Sequence, residues 1–150
     1  MVRKALKQSK LYLKILGYIT LAMAACGAIS AIVVWVNKDI KLDDATLGEE
    51  LVKFAKEHGE DTVRSMYGFT VLLSMAFSAF TGWLMLRAAK KPEKTTLLLV
   101  LLTFSVVSGA IAALHGDSGV GATASAAISL VVNLLALMAT WNIRQSAEDQ

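Results

Sequence analysis

Residues 15–36, 66–86, 95–114 and 118–143 contain no Asp, Glu, Lys or Arg, and this pattern leaves few folds open. The runs are 22, 21, 20 and 26 residues long. About 20 apolar residues in an α-helix, rising 1.5 Å each, cross about 30 Å of hydrocarbon. All four runs therefore predict transmembrane helices. A soluble four-helix bundle would instead place polar residues on the water-facing side of each helix, every three or four positions. Residues 97–102, Leu-Leu-Leu-Val-Leu-Leu, have no polar face at all. Only 18% of the chain is charged, against about 25% in soluble domains. The expected fold class is an all-α integral membrane protein. Four transmembrane helices (about 12–36, 62–88, 95–114 and 118–143) form an antiparallel bundle, and the 150 residues make one domain.

The net charge of +3 raises the question of nucleic acid, and the distribution of the charges answers it. The N-terminal segment carries Arg3, Lys4, Lys7, Lys10 and Lys14. The second connection carries Arg87, Lys90, Lys91 and Lys94 against Glu93. The first connection, residues 37–65, holds five bases and eight acids, and the third holds only Asp117. Lys and Arg resist translocation, so short basic segments stay cytoplasmic. A four-pass chain puts both basic segments on one side. The expectation is a cell-membrane protein with cytoplasmic N- and C-termini, an outer first loop and no nucleic-acid partner.

The N-terminus begins like a signal peptide, with a basic region ahead of an apolar run. That run, at 22 residues, exceeds the 7–15 of a signal peptide's apolar region, so it reads as a retained signal anchor. Met23-Ala24-Ala25-Cys26 resembles a bacterial lipoprotein processing box. The residues after Cys26 stay apolar through Val36, where a polar tether would be expected. The small residues read instead as helix packing. Cys26 is the one cysteine, so neither an intrachain disulfide nor a cysteine metal site follows from it.

The one proline, Pro92, ends the second helix before the third. Both later connections are short, which predicts antiparallel neighbours. Within the first loop, Thr46-Leu47-Gly48-Glu49 fits a capping box. Leu47, Leu51, Phe54, Ala55 and His58 then recur at helical spacing, with Glu49, Lys53 and Glu57 on another face. The expectation is a short amphipathic helix over about 46–58, stopped by Gly59. Its outer interaction face is Leu47, Leu51, Phe54 and His58. Glu60, Asp61 and Thr62 suit the start of the next helix, which is expected near residue 61, ahead of its apolar run.

No arrangement of residues announces chemistry. Carriers coupled to protons or ions place ionisable groups at membrane depth, and the centres of these four runs have none. His58 and His115 both fall on the outer side and form no paired-ligand pattern for haem or metal. Ser and Thr in the runs lack an accompanying His, Asp or Glu. Gly109, Gly116, Gly119 and Gly121 lack the strand and Lys-Ser pair of a phosphate loop. No cofactor or metal is expected, and no enzymatic activity.

Packing is the signal that stands out. Gly27 and Ala31, then Ser74, Ser78 and Gly82, then Ser105, Gly109 and Ala113 are small residues at four-residue intervals. Gly121, Ser125 and Ser129 continue that spacing to Asn133. Small residues at this spacing let helix backbones approach where no hydrophobic effect drives association. Ser125, Ser129 and Asn133, with Ser105 and Gly109 on the preceding helix, form a candidate packing or polar strip. An amide at the depth of Asn133 needs a partner, and Thr103 or Ser105 is within reason. The alternative role for the strip is lining a pore or ligand cavity.

The four-pass outline with a larger first outer loop resembles tetraspan junction proteins in topology. Residues 37–65 contain none of their loop cysteines or tryptophan, so the resemblance implies nothing about function. The leading expectation is a non-catalytic accessory, assembly or scaffold subunit of a larger membrane complex. Its partners are the lipid bilayer and either other membrane subunits or copies of itself. The alternatives are a channel-like, holin-like homo-oligomer and a binder of lipid or another apolar ligand.

Overall fold

The computed structural model describes residues 2–39, 49–92, 95–115 and 120–148. Among these residues every regular element is helical. In chain order they are α1 (Val2–Val36), α2 (Glu49–His58), α3 (Glu60–Lys90), α4 (Thr96–His115) and α5 (Val120–Glu148). Three segments, Lys4–Val36, Glu60–Lys90 and Ala127–Ala147, are long and apolar enough to cross a membrane. The chain thus has the length and composition of a membrane protein. The backbone of α4 is helical for 20 residues, and its shorter apolar stretch is Thr96–Ile111.

The helices outrun their apolar parts. α1 starts at Val2 rather than near residue 12, and α5 continues past residue 143 to Glu148. The added residues are rich in Lys, Arg, Leu, Gln, Ala and Glu, all strong helix formers. Charge ends a membrane span without ending the helix that carries it. Stops come from backbone chemistry instead. At Gly59 the chain turns with φ +93°, a conformation that Gly adopts at little cost, and its amide still donates to the Ala55 carbonyl at 3.0 Å. Pro92, with no N–H to give, follows the last bond of α3, Lys91 N to Arg87 O at 2.8 Å. Thr95 opens α4, its carbonyl accepting from the Leu99 amide at 2.9 Å.

The chain divides into two compact units, residues 1–21 with 79–150, and residues 22–78. The first holds the main core. Leu13 of α1 is buried with Leu84, Met85, Ala88 and Ala89 of α3, Leu98 and Leu102 of α4, and Ala136, Ala139 and Ile143 of α5. Hydroxyls inside this unit bond back to their own helices. Thr140 gives its proton to the Ala136 carbonyl at 2.7 Å and Thr20 to the Leu16 carbonyl at 2.8 Å, so each is satisfied within its own helix, and Thr20 also stands 4.0 Å from the Met85 sulfur of α3. The tightest approach is between Gly17 and Gly82. A Cβ on Gly17 would stand 3.0 Å from the Gly82 carbonyl oxygen, and one on Gly82 would stand 3.1 Å from that of Gly17. Gly17 also meets Leu86 while Gly82 meets Leu21, so α1 and α3 run in opposite senses here.

The second unit is built on the same device. Ala24 and Ala31 of α1 are buried. Gly27, in the predicted small-residue stripe, lies against the Met75 thioether. Trp35 lies over Gly68, whose Cβ would stand 3.2 Å from the indole.

Large apolar side chains point outward in both units. Leu97, Val100, Phe104, Val107, Ile111 and Leu114 are all exposed along one stripe of α4. Ile128, Val131, Leu135 and Met138 do the same on α5. Such stripes are a liability in water and the natural outer surface of helices in lipid, where interfaces take small residues and leave large ones to face the acyl chains.

The two glycine contacts differ in what a methyl group would meet. Gly82→Ala drives a Cβ against backbone atoms of α1, and should lower stability by about 1–3 kcal/mol, the usual cost of overpacking. Gly27→Ala meets only the flexible end of Met75 and gains up to about 1 kcal/mol of helix propensity. Thermal unfolding in detergent should therefore show Gly82→Ala well below the parent and Gly27→Ala close to it. Equal losses would mean that the crossing at Gly17 and Gly82 is not a special contact.

Candidate functional site

α4 and α5 pack on each other, and Gly109 is one point of contact. A Cβ there would reach Leu130 Cδ1 at 3.4 Å, an ordinary packing distance. Ser105 on the same helix is half-buried. On α5, Asn133 is half-buried and Ser129 is exposed, while Ser125 is described in its backbone alone. At 100° per residue, Ser129 and Asn133 lie on the same face of α5 as Ala136, Thr140 and Ile143, all three of which are 0% exposed. The face that is sealed at the end of α5 is therefore open two to three turns earlier.

This placement decides what the strip can do. The Thr103 hydroxyl is given to the Leu99 carbonyl of its own helix at 2.8 Å. Among the described residues the Asn133 side chain forms no hydrogen bond, to Thr103, Ser105 or any other group. Its amide is available to something beyond those residues. In hydrocarbon such a group is expensive unless it is paired or wetted.

The expected outer face lies on α2. Thr46 and Leu47 fall outside the described residues, and Leu51 is described in its backbone alone. Phe54 is half-buried and His58 exposed. Their rings stack, with centroids 4.1 Å apart and planes 15° from parallel. This i,i+4 pair joins one predicted face residue to another and ends at Gly59.

One polar centre was not singled out by spacing or composition. Arg64, one turn into α3, is only 4% exposed. Its Nη1 donates to the carbonyls of Val34 at 2.7 Å and Asn37 at 2.8 Å, and its Nη2 meets Glu60 at 3.3 Å. The last carbonyls of a helix have no partner within it and carry partial negative charge. The last turn of α1 has no base of its own, so Arg64 supplies the cap from another helix. Nearby, Lys38 pairs with Asp61 at 3.6 Å, with both side chains largely exposed. The signal in the sequence was a Glu60–Arg64 pair at i,i+4 directly before an apolar run, which reads as ordinary surface until the neighbouring helix end is known.

Among the described residues no group of three His, Cys, Asp or Glu is placed to hold a metal ion. Cys26 is a free, exposed thiol.

The Arg64 cap separates two substitutions that look alike in sequence. Arg64→Met removes charge-assisted bonds to two carbonyls, each worth about 1.5–3 kcal/mol when buried, and should lower the unfolding temperature in detergent strongly. Glu60→Gln touches only the exposed side of the pair, worth less than about 1 kcal/mol, and should change it little. A larger effect from Glu60→Gln would show that the ion pair, rather than the helix cap, is the stabilising element.

Compared with protein-family models, with curated proteins and with solved structures, the chain matches none.

Proposed function

We propose that the chain is a non-catalytic, four-pass subunit that helps assemble or scaffold a larger complex in the cell membrane. Both ends lie in the cytoplasm. The observation that carries the reading is the open face at Ser129 and Asn133. A polar face with an amide unpaired among the described residues, continuing a face that is buried at Ala136, Thr140 and Ile143, is the kind of surface a helix of another subunit covers, since small and polar residues are what helices in lipid use to adhere.

The four-span count rests on α4. Its 20 helical residues correspond to about 30 Å, the thickness of the hydrocarbon layer. With α1 and α3 crossing, the bases of α1 and those around Lys91 share one side, as the retention of Lys and Arg requires, and with α4 and α5 crossing the C-terminus joins them. A short connection of residues 116–119 then returns α5 antiparallel to α4. α2 lies along the outer surface, where Phe54 would rest on lipid or on a partner.

The second reading, a channel-like homo-oligomer, draws on the same amide, because water can satisfy it as well as a protein can. The third, a binder of lipid or another apolar ligand, would use the same open face.

Asn133→Leu separates these. In mild detergent the full chain is expected to purify with a distinct membrane partner. Asn133→Leu should weaken that association by about threefold to thirtyfold, the equivalent of the 0.6–2 kcal/mol measured for interhelical polar contacts. The unfolding temperature of the isolated chain should stay unchanged. Ion flux through liposomes holding the chain alone should be absent. A homo-oligomer whose flux collapses in Asn133→Leu would replace the assembly reading with the channel.

A further inference from the structure

We propose that the basic flank formed by α1 and α3 in the first unit holds the headgroup of an anionic phospholipid. At 100° per residue, Lys7, Lys10 and Lys14 fall within about 60° of arc on α1. Gly17 packs on Gly82 and Leu86 with the helices in opposite senses. One turn back from Gly17 on α1 is therefore level with one turn beyond Leu86 on α3, which brings Lys14 to the depth of Arg87 and Lys90. Lys14 thus stands level with Arg87, and Lys10 and Lys7 lie about one and two turns further along α1, on the side toward Lys90 and Lys91.

The exposed side of α3 grades from apolar to cationic toward this depth. Phe80 stacks with Trp83, ring centroids 6.0 Å apart. The Arg87 guanidinium sits 5.2 Å from the centroid of the same Trp83 ring, and Lys90 and Lys91 follow, exposed. An acyl chain, a glycerol region and a phosphate meet these groups in the same order, since Trp prefers the interface and long basic side chains reach to the headgroups.

The sequence around these helices is strongly basic, with Glu93 the one acid between Arg87 and Lys94. Residues 1–21 and 79–150 carry no Asp or Glu among the described side chains. Lys7, Lys10 and Lys14 form no ion pair among the described residues. A soluble anion would answer the charge alone. A lipid also answers the apolar surface beside it, where Leu11, Ile15 and Tyr18 stand exposed next to the lysines. The inference requires only that these helices lie in a bilayer; it does not require a partner subunit.

The test uses the full chain with Trp35 and Trp141 changed to Phe, so that Trp83 alone reports. It is placed in vesicles of phosphatidylcholine mixed with brominated phosphatidylglycerol, or with brominated phosphatidylcholine as the reference. Trp83 fluorescence should be quenched preferentially by the anionic lipid, and added salt should reduce the preference. Each base near an anionic surface is worth about fivefold in binding. Changing Lys7, Lys10 and Lys14 together to Gln should therefore cut the preference by at least that factor. Changing all three to Arg should preserve it, and Lys53 and Lys56 to Gln on α2 should have no effect. Equal quenching by the two lipids in the parent would overturn the proposal, as would a preference that survives the Gln variant. A loss of preference in the Arg variant would trace the effect to disturbed packing and overturn it too.

Discussion

Lipid tails are as apolar as leucine, so helices in a bilayer gain nothing by hiding large apolar side chains from their surroundings. Adhesion must come from close contact and from polar groups that find one another. In this chain the close backbone contact is the crossing of α1 and α3 at Gly17 and Gly82, where each residue stands against the other's backbone. The core of that unit follows from the crossing. Ala88, Ala89, Ala136 and Ala139 fill it alongside a few leucines, while phenylalanines, tryptophans and most isoleucines stay outside. The second unit repeats the arrangement with Gly27, Ala31 and Gly68, and adds a buried cation at the end of α1.

Much of this was legible before any coordinates. Runs of uncharged residues report membrane spans because each charge in hydrocarbon is costly, and three of the four runs lie on helices of sufficient length and apolarity. Gly59 was legible because a helix ending in a left-handed residue favours glycine. Small residues at four-residue spacing marked the contact faces at Gly27 and Gly82. What stayed hidden depends on pairing between distant segments. Gly17 has no small neighbour four residues away, and only its approach to Gly82 makes it important. Arg64 looked like a loop base because its partners are backbone carbonyls of another helix, and carbonyls leave no trace in a sequence. α1 and α5 run on past the expected spans because charge limits a span, whereas helix propensity limits a helix.

The polar groups of the chain divide into those that are satisfied and those that remain open. Thr20, Thr103 and Thr140 bond within their own helices, and Arg64 caps a neighbouring one. Asn133 and the lysines of α1 have no such partner among the described residues. These are two places where the described residues leave polar groups open. They call for different complements, an amide partner at membrane depth and an anion at the surface. A subunit that adheres to another protein within the membrane and to anionic lipid at its edge is consistent with both.

The central claim, four crossings with the bases on one side, turns on whether α4 crosses. Cysteine accessibility in intact cells tests it directly, in variants that lack Cys26 and carry Glu57→Cys, Lys91→Cys or Ser118→Cys. A membrane-impermeant maleimide added outside should label positions 57 and 118 and leave 91 unlabelled until the cells are opened. Residues 91 and 118 flank α4, so labelling of both from the same side would show that α4 does not span, and would contradict the four-pass account.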